Sequence, residues 1–329
     1  MNRNFLIAGI LSLSIGYHGF AQEVGEIEVV SDELAKIVKK DAEIEVIADG
    51  FQFTEGPLWV ADKKMLLFSD VPANTIYQWT EKDGASVFVK PGGYTDPAPR
   101  GGFMGPNGMI LNHKGNLWIC QHGDRRIAEL DAPLDAPEAK FTTVIGAYEG
   151  KGLNSPNDLF LTEAGDLYFT DPAYGFENGP SDPKKELEFQ GVYKLSKSGE
   201  LTVLIDSLST PNGISIFPDG KTLLVSNTAG PKRGWYSYDI ASDGSVSNGK
   251  VFASPGDIKA PGGCDGLKID KKENVFATGP GGVWIFTKKG KLIGKIKVNG
   301  LTAANVALSP DEKTLYITAT DKLLRVEMR

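Results

Sequence analysis

The chain has 329 residues, 41% of them hydrophobic and 23% charged, with 35 Lys+Arg against 42 Asp+Glu for a net charge of −7. That balance excludes a disordered tail, a collagen and a membrane bundle, and without a run of basic residues it argues against a nucleic-acid partner. Of the three His, His18 lies in the N-terminal stretch that reads as a leader, which leaves His113 and His122, too few for a zinc hydrolase built on three imidazoles, and two Cys are too few for a disulfide framework.

Residues 1–21 carry Arg3, an apolar run from Phe5 to Ile15 and a small-x-small end at Gly19-Phe20-Ala21. This reads as a signal peptide cleaved before Gln22, which predicts a periplasmic or secreted protein. The run is shorter than the ~20 residues a bilayer needs, so no membrane partner is expected. Residues 22–41 read as a lead-in, with one or two amphipathic helical turns within Ser31–Lys40 lying outside the main fold. Cys120 and Cys264 stand alone and read as buried free thiols, a single bridge being the alternative.

From residue 42 onward a short motif recurs. Thr54-Glu55-Gly56, Pro106-Asn107-Gly108, Pro156-Asn157-Asp158, Pro211-Asn212-Gly213, Cys264-Asp265-Gly266 and Ala304-Asn305-Val306 each open an apolar-alternating strand. A polar turn and further strands follow, as in "ISIFPDGKTLLVSN" and "GVYKLSKSGELTVLID". Four short antiparallel strands per ~40 to 50 residues are the blade of a β-propeller. The expected fold over residues 42–329 is therefore an all-β, six-bladed β-propeller. The last unit ends after three strands at "KLLRVEMR", so Ala42–Gly50 is expected to supply the missing outer strand and close the ring.

Strand starts in a propeller face the central channel, so the six triplets are expected to bring Glu55, Asn107, Asn157, Asn212, Asp265 and Asn305 toward one point. An all-oxygen set of this kind suits a hard divalent cation, Ca²⁺ before others, with Zn²⁺, Mg²⁺ or Mn²⁺ left open. The competing reading is that Asn-Gly and Asp-Gly merely form turns; it accounts for Gly56, Gly108, Gly213 and Gly266 but not for Glu55.

The strings "FTEGPLW", "GPNGMILNHKGNLWICQHGDRRI", "LNSPNDLFLTEAGDLYFTDPAYGF", "PNGISIFPDGKTLLVSNT" and "CDGLKID" resemble the gluconolactonase/regucalcin (senescence marker protein) family of six-bladed propellers, over roughly Ala42–Arg329. The resemblance implies a divalent-metal-dependent lactonase, with metal ligands at Glu55, Asn157, Asn212 and Asp265 and proton transfer by Asp265. One departure is Ser155, where regucalcin-like members carry a substrate-binding Arg. Asn107 fits the bacterial gluconolactonase branch and is assigned to substrate or to a metal-bound water. Asp158 is a candidate for orienting Asn157 or bonding substrate, with a turn role as the alternative. His122 is a candidate contact for the leaving oxygen, or a structural residue. Tyr174 reads as core packing, with a place lining the mouth as the alternative, and Arg125 and Arg126 as a solvated pair on the blade rim. The expected partner is a small-molecule lactone. No GxSxG elbow is present, so water attack on a metal-polarised carbonyl is the expected chemistry. A paraoxonase-type arylesterase and a non-enzymatic binding propeller are the alternatives.

Overall fold

In the computed structural model, which describes residues 24–329, each repeated unit folds as its turns dictate. The leader and its cleavage site lie outside the described residues. Asp219-Gly220 turns the chain between Pro211–Ile216 and Thr222–Asn227, with Gly220 at φ +70° where a left-handed residue is needed. Repetition of such hairpins builds six antiparallel sheets, and the molecule is a six-bladed β-propeller. Blades one to six have as innermost strands Thr54–Val60, Pro106–Leu111, Leu159–Leu161, Pro211–Ile216, Leu267–Ile269 and Ala303–Leu308. Apolar clusters fill the space between neighbouring blades, with Trp235, Phe169, Phe68 and Phe276 fully buried.

Closure follows the expected scheme. Ile44–Asp49 pairs antiparallel with Lys322–Glu327, Ile44 opposite Val326 and Asp49 opposite Lys322, so the N-terminal strand completes blade six. Thr54 of blade one donates from its backbone N–H to the Thr320 carbonyl at 2.7 Å, which joins the two ends of the ring.

The lead-in contributes more than packing. Gly25–Val29 adds a fifth strand to blade five, pairing with Leu292–Val298, and one 3₁₀ turn, Asp32–Lys36, seats Leu34 beneath it. This strand is five residues long and its outer face is held by Lys297–Glu28 and Lys297–Glu26 ion pairs, so its hydrophobic alternation is weak. Cys120 and Cys264 are both buried and unbridged. Arg125 and Arg126 are not a solvated pair. Arg125 donates to the Leu153 and Gly152 carbonyls and to Glu186, while Arg126 bonds Gln121, Thr143 and Asp124.

The triplet glycines have a different use from turn formation. An added Cβ would come within 2.0 Å of the Asn107 carbonyl oxygen at Gly56, 2.7 Å of the Asn157 oxygen at Gly108, 2.4 Å of the Asp265 oxygen at Gly213 and 2.0 Å of the Asn305 side chain at Gly266. Three of these backbones meet the next blade's site residue, and only Gly56 has positive φ. Glycine is needed there because successive inner strands touch. Hydroxyls reinforce the contact: Ser69 donates to the Asn107 carbonyl at 2.8 Å, Thr170 to Asn212 at 2.7 Å and Thr278 to Ala304 at 2.9 Å.

Gly213→Ala should therefore force blades four and five apart and lower stability by roughly 1–3 kcal/mol, the scale of overpacking. Gly101→Ala, where nothing lies within 4 Å, should leave the thermal midpoint unchanged. Equal midpoints for the two variants in a melting experiment would remove the close-approach argument.

Candidate active site

Local strand distortion aims the triplets at the axis. The pairing register slips between Glu55 and Leu58, Pro106 and Met109, and Pro211 and Ile214, and each such bulge re-aims the side chains at its strand's start. The loops that lead in are fixed by the last residue of the blade's second strand. Asp70 accepts from the Gln52 and Phe53 N–H groups at 3.0 and 3.1 Å, Asp171 from Asn154 and Ser155 at 2.8 Å each, and Asn227 from Thr210 at 2.8 Å.

These devices bring Glu55, Asn107, His122, Asn157, Asn212 and Asp265 into one cavity of about 250 Å³, walled further by Phe53, Phe103, Tyr174 and Thr228. Larger clefts of about 360 and 920 Å³ lie beside the N-terminal segment, but residues such as Lys39, Asp41 and Glu43 line them, several open to solvent. The axial cavity differs in its polar atoms. Asn107 Oδ1, Asn157 Oδ1, Asn212 Oδ1 and Asp265 Oδ1 are all buried and have no hydrogen-bond partner. Glu55 accepts the Gly56 N–H at 2.8 Å through Oε2. Among the described residues no three His, Cys, Asp or Glu side chains are placed so that together they could hold a metal ion, so a cation here would depend on amide oxygens beside two carboxylates.

Blade six supplies no oxygen. Gly266 N donates to the Ala304 carbonyl as Gly108 N does to Asn157, and the Asn305 N–H lies on Thr318 Oγ1 as that of Asp158 lies on Thr170 Oγ1. Ala304, not Asn305, is thus the equivalent of Asn157, and the triplet in blade six is read one residue early. Asn305 and Asp158 belong to the layer beneath, where the other four blades carry Gly56, Gly108, Gly213 and Gly266. Across the room those glycines leave, Asn305 Nδ2 lies 3.4 Å from Asp158 Oδ2, and Lys268 Nζ lies 3.6 Å from the same oxygen. Asp158 is therefore placed under the cavity floor and does not line it.

Electrostatics follow from three carboxylates near one axis. Burial raises the Glu55 carboxyl to about 7, helped by the Asp158 charge. Asp265 is half-buried by surface area, yet protein crowds its carboxylate. Loss of solvent, then Glu55, then Asp158 hold it well above the usual range. Burial pushes His122 down to about 4, so its imidazole is neutral, with Nδ1 3.0 Å from the Phe103 carbonyl. Tyr174 lines the cavity instead of the core, and its hydroxyl is raised to about 12 by burial and by Asp265. The sequence reading missed Phe53, Phe103 and Thr228. Thr228 follows directly on the strand end at Asn227, as His122 follows Gln121, and that shared position is the signal that could have found it.

The fold and its oxygen-lined axial cavity define a propeller with its site at the centre of the ring. Residues 53–321 match the family described as the SMP-30/Gluconolactonase/LRE-like region, and the chain belongs to that family. It is 37% identical over 316 residues to the gluconolactonase of Zymomonas mobilis, covering 93% of this chain and 87% of that one. A gluconolactonase structure from Xanthomonas campestris superposes with a TM-score of 0.79 at 28% identity, covering 92% of this chain and 95% of the other. The calcium-binding protein regucalcin of Agrobacterium tumefaciens shares the fold, with a TM-score of 0.67 at 18% identity over 86% and 93% of the two chains.

A pH test isolates the cavity carboxylates. Glu55 has a folded pKa above its unfolded value, so its contribution to stability is full below about pH 4.5 and is lost as pH rises through about 7. His122, depressed to about 4, contributes with the opposite sign, losing stability as pH falls from about 6.5. Chelator-treated Glu55→Gln protein should melt higher than chelator-treated parent at pH 8, and the gap should shrink toward pH 4.5. A gap independent of pH in the melting series would refute the raised carboxyl.

Proposed function

We propose that the chain is a divalent-metal-dependent lactonase that opens a sugar-derived, gluconolactone-like ring by attack of water. The supporting observation is the set of four buried oxygens without partners in one cavity, beside a second buried carboxylate. A buried polar atom left unpaired costs about 1–3 kcal/mol, so the oxygens of Asn157, Asn212 and Asp265 facing one space argue for a cationic occupant. Glu55, Asn157, Asn212 and Asp265 would hold the ion, and their hard oxygen donors favour Ca²⁺ over Zn²⁺, with Mg²⁺ and Mn²⁺ also compatible. When bound, such an ion would polarise the lactone carbonyl and offset the charge that develops on its oxygen.

The chain's own groups do the rest. Asp265 has two carboxylate oxygens, so one can serve the ion while the other takes the proton from the attacking water and returns it to the departing ring oxygen. Asn107, whose amide is uncommitted, hydrogen-bonds the substrate. Phe53, Phe103 and Tyr174 offer flat faces to the C–H side of a sugar ring and keep bulk water out. A volume of about 250 Å³ suits a single-ring ligand. Neither serine nor cysteine lines the cavity, and the Thr228 hydroxyl donates to the Cys264 carbonyl at 2.9 Å, so no covalent nucleophile is assigned. The leader motivates a further proposal, that the protein is exported; mass spectrometry of the native protein should then find a chain starting at Gln22, and an intact Met1 would overturn it.

Acid release from a lactone panel, with and without chelator, tests the activity. Asp265→Asn keeps an oxygen ligand but removes the base, so metal should largely remain while hydrolysis falls by about 10²–10⁴. Metal and full rate retained together would exclude Asp265 as the base. Phenyl esters cleaved in preference to sugar lactones would favour the arylesterase reading, and purified protein without a divalent ion would favour a binding propeller.

A further inference from the structure

An asparagine can serve a cation only through its oxygen, yet its two ends have nearly the same shape, and a flipped amide would turn an N–H₂ group toward the ion. We propose that His122 and Thr228 are positioning residues that prevent this flip, His122 for Asn157 and Thr228 for Asn212. The inference rests on the metal site proposed above and concerns how that site is held.

A count of protons fixes each amide. The Phe103 carbonyl can only accept, so the His122 Nδ1 that faces it at 3.0 Å carries the hydrogen. With the imidazole 1% exposed, its one hydrogen on Nδ1 and no carboxylate bonded to either ring nitrogen among the described residues, Nε2 is left with a lone pair and can only accept. Nε2 lies 3.4 Å from Asn157 Nδ2, so Asn157 must present its amino group there and its oxygen to the cavity. Thr228 reaches the same end by different chemistry. Its single hydroxyl proton goes to the Cys264 carbonyl at 2.9 Å, so Oγ1 accepts from Asn212 Nδ2 at 3.1 Å, and the Asn212 oxygen is turned inward. Both oxygens so directed are among the buried atoms without a partner.

The two devices share a place in the fold. Each follows the end of a blade's second strand, His122 after Leu117–Gln121 and Thr228 after Thr222–Asn227. His122 reaches forward to blade three, whereas Thr228 reaches back to the inner strand of its own blade. Asn107 is a contrast within the same cavity: among the described residues its amide nitrogen has no acceptor of this kind, so it can offer either end. That separates two amides committed to oxygen from one free to suit a substrate.

Calorimetric titration of the metal-free protein with Ca²⁺ alone tests the proposal without an activity assay. Thr228→Val preserves shape but removes the acceptor, and His122→Phe preserves a ring; each should weaken Ca²⁺ binding by about 10- to 100-fold. Thr228→Ser should restore parental affinity. Aspartate presents an oxygen whichever way it turns, so in an Asn212→Asp background Thr228→Val should cause no further loss. Parental affinity in both Thr228→Val and His122→Phe, or an equal loss from Thr228→Val in the Asn212→Asp background, would overturn the positioning role while leaving the metal site intact. Failure of the parent protein to bind Ca²⁺, Mg²⁺, Mn²⁺ or Zn²⁺ would instead overturn the metal reading itself. Should Thr228→Val fail to fold, the His122→Phe arm at a separate blade decides alone.

Discussion

Contact between neighbouring inner strands is the constraint on which the cavity depends. At Gly56, Gly108 and Gly213 the backbone of one blade meets the site residue of the next at distances no Cβ could tolerate. Because the bonds from Ser69 and Thr170 end on the carbonyls of Asn107 and Asn212, two of the residues that supply cavity oxygens are also the residues that hold blades together. Ring closure by Ile44–Asp49 then fixes the circumference. A six-membered ring with this tight a core leaves an axis only a few side chains wide, and what occupies it is decided by which residues stand one position apart along each inner strand.

Two layers result. In the upper layer Glu55, Asn107, Asn157, Asn212 and Asp265 surround the cavity, and Ala304 completes the ring with a methyl group. In the lower, Gly108 lies against Asp158 and Gly266 against Asn305, which leaves those two side chains room to meet, and Lys268 brings a compensating ammonium to 3.6 Å from the Asp158 carboxylate. The distribution of charge is therefore uneven. Asp158 has its own cation supplied by the chain, whereas Glu55 and Asp265 share a space into which no Lys or Arg projects. Their raised pKa values express that imbalance, since burial first, then repulsion, from Asp158 at Glu55 and from Glu55 and Asp158 at Asp265, favour the protonated form.

Much of this was legible in the sequence because the propeller repeats itself. Six triplets, the polar turns and the three-strand final unit determine the blade count and the closing strand without any long-range information. Residues whose roles come from contact between blades were not legible in the same way. Gly213 reads locally as a turn former, and only the neighbouring Asp265 carbonyl at 2.4 Å from its notional Cβ reveals otherwise. Asn305 matches the motif by residue type, but the hydrogen bonds of Ala304 show which residue holds the equivalent place. Phe103 lies outside any repeated string and Gly25–Val29 pairs with residues at least 265 positions away (294 − 29), so neither composition nor spacing could assign them, whereas Thr228 was marked only by its place after a strand end.

Burial also acts in opposite directions on two titratable groups of the cavity, His122 and Asp265. A catalytic imidazole needs a pKa near the working pH and a nitrogen that can both take and give up a proton. His122 is pushed down to about 4, with burial the main cause and the Arg100 charge adding to it; Nδ1 is committed to the Phe103 carbonyl and Nε2 faces an amide. The same burial moves Asp265 the other way, because its charged form is the deprotonated one, and holds the carboxyl above its usual range with one oxygen free of partners. Burial thus sorts two titratable groups in one cavity by penalising the charged form of each: it lowers the proton affinity of the imidazole and raises that of the carboxylate, ordinarily the weaker proton acceptor.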